Sequence, residues 1–105
     1  MKEITQGHCY ELANFEQDAP ELNQRIQFIQ KVPVAEGQTE LRTVSDGTTN
    51  EEVLAVLIDR LNYLQAKHPC RENAIVITKL DECLMWLNKR TAGRKARNVE
   101  GTNAK

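Results

Sequence analysis

The dipeptide His68-Pro69 separates two helical patterns, and it constrains the fold more than any other feature of the chain. Before it, Leu54, Leu57, Ile58, Leu61 and Leu64 recur at spacings of three and four, the repeat of one apolar helix face. After it, Asn73, Ile77, Leu80, Leu84 and Leu87 share a stripe flanked by Val76, Cys83 and Arg90. The residue before proline is pushed out of the α region, so the first helix ends near Lys67. Pro69 suits the first turn of the second, where its missing N–H is not needed. A connection this short makes the helices antiparallel neighbours, a helical hairpin over about 50–98. Thr49, followed three residues later by Glu52, predicts a capping box at its start. Gly93 weakens the second helix by ~1 kcal/mol relative to alanine, so the helix frays there or continues to Arg97. Asn98, which tolerates positive φ, is its expected stop.

The residues before the hairpin read as strands. Positions 9–15 alternate roughly until Asp18, Ala19 and Pro20 break the pattern. Residues 24–34 place Ile26 and Phe28 on one face and Ile29 on the other, with Pro33 demoting the far end to an edge or bend. Glu36 and Gly37 then form a turn into a strand over 39–44, and Ser45, Asp46 and Gly47 form the next turn. The expected architecture is α+β in a single domain over 1–105. It comprises a short antiparallel β-meander within 8–46, packed on the hairpin, and a tail over 99–105 whose last residues have nothing to order them.

Only 5% of the 105 residues are aromatic, so the core is modest and self-association is expected. The net charge of −1 is unevenly spread: net −5 over residues 1–68 and net +4 over 69–105. Opposed halves can pair between subunits or leave a local positive pocket. Cys9, Cys70 and Cys83 are odd in number and widely spaced, which argues against a disulfide framework. Neither His8 nor His68 has a second metal ligand at helical spacing, so neither a metal nor a cofactor is expected. The first residues lack a signal peptide's apolar run, and no segment approaches the ~20 apolar residues of a membrane span. A soluble, cytoplasmic protein with reduced thiols is expected.

The candidate sites lie around and beyond the proline. Arg71 and Asn73 fall in the first turn of the second helix, where free N–H groups favour anions. Asn73 also falls on the apolar stripe, and a buried asparagine needs a partner, either in the core or in a ligand. Tyr63, near the end of the first helix, can stack on a base or simply pack. Met85 and Trp86 read as packing or interface residues. Arg90 and Arg94 stand one turn apart, with Thr91 beside Arg90, and their guanidinium forks match phosphate oxygens. Glu100 returning to pair with an arginine is the structural alternative. No catalytic set is arranged: there is no Ser–His–Asp group and no phosphate-binding loop.

Thr48, Thr49, Asn50, Glu51 and Glu52, the leucine-rich helix, PCREN, ITKLDECLMWLNKRT and the closing VEGT occur in that order. From about Thr39 onward this resembles the phage Thoeris anti-defence sponges, which share a helical hairpin with the smaller anti-CBASS sponges. The resemblance implies a non-catalytic protein, cytoplasmic in an infected bacterial host, that sequesters cyclic nucleotide immune signals. The signal it implies is glyco-cyclic ADP-ribose made by TIR-domain enzymes, joined in some members by cyclic trinucleotides at a second site. It implies assembly as a homodimer or homohexamer, and ligand contacts at Tyr63, Arg71, Asn73, Arg90 and Arg94. This chain has Asn98 where the family commonly has glycine. Two other readings stay open on residues alone: a small regulator using its basic helix on nucleic acid, and a purely structural oligomerising domain. The acidic N-terminal half weighs against nucleic acid.

Overall fold

Gly7, at φ +73°, makes the first reversal of the chain, with His8 N–H donating to the Thr5 carbonyl at 2.9 Å. The computed structural model describes residues 1–16 and 18–104. Two compact units divide between Thr49 and Asn50.

The first unit holds five short strands in two antiparallel sheets. Strands β1 (Lys2–Thr5), β2 (Cys9–Leu12) and β3 (Gln24–Gln27) form a sheet in that order, with Glu3 opposite Tyr10 and Tyr10 opposite Ile26. Strands β4 (Gln30–Pro33) and β5 (Leu41–Ser45) form the second, closed by a loop in which Gly37 has φ +78°. The sheet therefore begins at Lys2 rather than near His8, and β1, which is exposed throughout, carries no apolar alternation to reveal it. The single strand expected over 24–34 is two strands with different partners. At the junction Phe28 N–H donates to the His8 carbonyl, Thr48 N–H to the Gln27 carbonyl and Ile29 N–H to the Thr48 carbonyl. Thr48 approaches so closely there that a Cβ on the neighbouring Gly47 would overlap the Gln27 carbonyl, so that position admits only glycine. Pro33 ends β4, where its missing N–H breaks no ladder. Buried Cys9 and the edge-to-face pair of Tyr10 and Phe28, with centroids 6.0 Å apart, form the small apolar centre of this unit.

The second unit is the hairpin of α1 (Asn50–Lys67) and α2 (Arg71–Ala96), which pack on each other. Leu54, Ile58, Leu61 and Leu64 of α1 are half-buried, as are Ile77, Leu80, Leu84 and Leu87 of α2. Pro69 does not enter the second helix. Cys70 is its cap instead, the thiol accepting from Asn73 N–H at 3.4 Å, and Arg71 is the first helical residue. The cap is held by Gln65, whose amide accepts from Cys70 N–H and donates to the Cys70 carbonyl, both at 3.0 Å. Gly93 does not interrupt α2, which runs on to Ala96, and Asn98 at φ 57° provides the left-handed stop.

The segment after the helix is not loose. Arg94, 7% exposed, turns its guanidinium onto it: Nη2 donates to the carbonyls of Val99 at 2.9 Å and Thr102 at 3.0 Å, and Nε lies 3.3 Å from a Glu100 carboxylate oxygen. Thr102 adds a hydroxyl bond to the Val99 carbonyl, and its Oγ1 accepts from Ala104 N–H. Of the tail residues expected to lack partners, Thr102 and Ala104 find them within the same chain, and Lys105 lies outside the described residues.

Candidate ligand-binding surfaces

Burial separates the candidate residues. Asn73, Ile77, Leu80, Leu84, Leu87, Thr91 and Arg94 step by four and three along α2, and all are half-buried or buried. Asn73 therefore stands on the packing stripe, as its spacing indicates, and its backbone N–H bonds to Cys70. Arg71 and Arg90 are exposed. Arg94 is not: its guanidinium already meets two carbonyls and a carboxylate, the internal pairing that Glu100 foreshadows. The expected pair of arginines projecting from one face thus reduces to Arg90, with Arg94 shaping the segment beyond it.

Tyr63 is 53% exposed on α1, and the Lys67 ammonium sits 4.6 Å from its ring centroid. This cation–π contact occupies one ring face and places positive charge beside an aromatic surface near the hairpin tip. Trp86 and Lys89 repeat the arrangement on α2 at 4.9 Å. Tyr63 and Arg71 line two separate grooves. Tyr63 lines a shallow groove along α1 with Glu52, Ala55, Val56, Asp59 and Arg60. Arg71 lines another along α2 with Ala74, Ile75, Thr78 and Lys79. Sequence reasoning missed both grooves and the Lys67 contact. A second periodicity, half a turn from the leucines, marks the grooves: Val56 lies two residues from both Leu54 and Ile58, and Ile75 lies two from both Asn73 and Ile77.

A hairpin whose tip presents cations and an aromatic ring is suited to binding an anionic, aromatic ligand. Residues 22–92 match the family described as Acb2/Tad1, hairpin domain, and the chain belongs to that family. The match starts earlier than the resemblance noted from Thr39, taking in β3 to β5, and stops before Arg94 and the VEGT segment. A relative named Thoeris anti-defense 1, from Bacillus phage SBSphiJ7, is 56% identical over 62 residues. That alignment covers 58% of this chain and 44% of the relative, so it spans less than half of the relative's length. Among the described residues, no helix is long and apolar enough to cross a membrane.

Proposed function

We propose that this protein is a phage anti-defence sponge, which binds cyclic nucleotide immune signals and holds them without cleaving them. Membership in the Acb2/Tad1 hairpin family carries the reading, supported by the anti-defence name of the Bacillus phage relative. The signal favoured is glyco-cyclic ADP-ribose. Tyr63 stacks on its base, Arg71 meets its phosphates and Asn73 supplies a hydrogen bond. Lys67, already beside the Tyr63 ring, adds charge at the same place. Because Tyr63 and Arg71 line different grooves in one chain, the complete site draws on more than one copy, in a homodimer or homohexamer. A second site for cyclic trinucleotides centres on exposed Arg90, with the segment that Arg94 clasps beside it. The protein acts in the cytoplasm of the infected host. Thermal melting with cyclic ADP-ribose isomers, cyclic trinucleotides and duplex DNA tests the reading, since a ligand of the folded state alone raises the midpoint by mass action. A shift with duplex DNA and none with the cyclic ligands would replace the sponge by a nucleic-acid binder.

A further inference from the structure

Trp86 and Gly93 share one strip of α2, and the fold of this chain accounts for neither. At about 100° per residue, Lys89 and Arg90 lie one turn beyond Trp86 and Gly93 two turns beyond it, all on the same side of the helix. All four are exposed. The indole is 55% exposed, with the Lys89 ammonium 4.9 Å from its ring centroid. A cation over one face of the ring leaves the other face for a planar partner. Gly93 sits inside the helix, where glycine is a poor former. Its φ is not left-handed, and a Cβ built on it meets nothing within 4 Å. Neither backbone conformation nor packing within the chain therefore calls for glycine there. What glycine does at this position is leave the backbone bare, so that a group from outside the chain can approach closely.

The charge around the strip selects what approaches. From Cys83 to Val99 the chain carries Lys89, Arg90, Arg94, Lys95 and Arg97 and no carboxylate. Arg97 folds back on the strip, its Nε donating to the Gly93 carbonyl at 3.4 Å, which holds a guanidinium beside the bare position. Glu82, one turn before Trp86, precedes the positive stretch, and Glu100 after it is taken up by Arg94. An identical strip from a second copy would set these cations against their like. An anion that carries an aromatic ring meets both the indole and the cations.

We propose that this strip is a nucleobase-and-phosphate platform: a base stacks on Trp86, its phosphate meets Lys89 and Arg90, and the ribose seats against the bare backbone at Gly93. It rests on the reading of Arg90 as the centre of a cyclic trinucleotide site, and it adds the residues that sense the base. Arginines answer to the charge of such a ring, whereas the indole answers to the base on each phosphate.

Trp86 is the one tryptophan in the sequence, so its emission reports on this strip alone. The probes are cyclic tri-adenosine monophosphate and trimetaphosphate, a ring of the same charge without bases. The trinucleotide should quench the emission over the concentrations that raise the melting temperature, and trimetaphosphate should leave it unchanged. In calorimetry Trp86→Ala should weaken the trinucleotide by roughly five- to hundred-fold, the worth of one stacked base, and Trp86→Phe by less. Gly93→Ala separates a ligand role from a structural one. It should raise the ligand-free melting temperature by about 2–8 °C, as alanine for glycine in a helix does, yet weaken the trinucleotide about tenfold or more. Circular dichroism checks that each variant keeps its helices. Binding that Arg90→Glu removes, but that leaves Trp86 emission unchanged or that Trp86→Ala and Gly93→Ala do not weaken, would overturn the platform and leave the second site standing. A wild type whose melting temperature the trinucleotide does not move would overturn both. Weaker association of ligand-free Gly93→Ala in sedimentation would assign the glycine to a contact between copies and overturn the platform too.

Discussion

Arg94 and Thr102 are joined by a 3.0 Å bond from a guanidinium Nη2 to a backbone carbonyl, and this bond ties the end of the hairpin to the segment that leaves it. The same nitrogen reaches Val99, and Nε faces Glu100 across 3.3 Å. The planar fork serves several oxygens at once, which a lysine ammonium on its flexible stem does not reproduce. Arg94→Lys should therefore behave much like Arg94→Ala, each destabilising the hairpin by about 1.5–3 kcal/mol through lost charge-assisted bonds. Amide exchange over 98–104 should accelerate in both. Glu100→Gln should cost less than ~1 kcal/mol, because that carboxylate is partly solvated.

The hairpin turn depends on a second side-chain clasp. Gln65 meets both the N–H and the carbonyl of Cys70, so Gln65→Ala removes two bonds and should cost about 1–2 kcal/mol in urea unfolding. Gln65→Glu should be no better, since a carboxylate has no donor for the Cys70 carbonyl. An unchanged midpoint in both variants would mean that the turn is held by helix packing alone.

Ligand binding should separate the tip residues from the scaffold. Asn73→Ala and Arg71→Ala should each weaken glyco-cyclic ADP-ribose by roughly ten- to hundred-fold, equivalent to ~1.5–3 kcal/mol for a charged hydrogen bond. Tyr63→Ala should lose ~1–3 kcal/mol of stacking. Calorimetry that finds affinity unchanged in both Asn73→Ala and Arg71→Ala places the pocket elsewhere.

The two basic-end arginines should part company under the same treatment. Arg90→Glu should abolish cyclic trinucleotide binding while leaving the melting temperature near wild type, since Arg90 is exposed. Arg94→Glu should lower both, because it inserts a carboxylate among the Val99 and Thr102 carbonyls. Equal melting temperatures for the two variants would contradict this division of roles.

Much of the hairpin was legible because its packing is periodic. The leucine stripes, the break before Pro69 and the left-handed stop at Asn98 each follow from local sterics, and all appear in the structure except that Leu57, expected on the apolar face of the first helix, is exposed. Pro69 was misassigned to the second helix because the Cys70 cap depends on Gln65, five residues back, a pairing no helix propensity encodes. The strands were legible in kind but not in pairing. The exchange of partners at Phe28 is set by backbone bonds to His8 and Thr48, which lie twenty residues away on either side. Arg71 and Arg90 were legible as exposed cations. The burial of Arg94 was not, because its partners follow the helix and become visible only once the chain turns back at Asn98 and Gly101.

The central claim is sequestration, and incubation followed by release tests it most directly. The wild-type protein is incubated with glyco-cyclic ADP-ribose for increasing times, separated from free ligand, heated to unfold it, and the released material is chromatographed. A sponge should retain the ligand in a fixed ratio to protein and return it intact at every time point. Failure to retain it, or a cleaved product that grows with incubation time, would contradict the account.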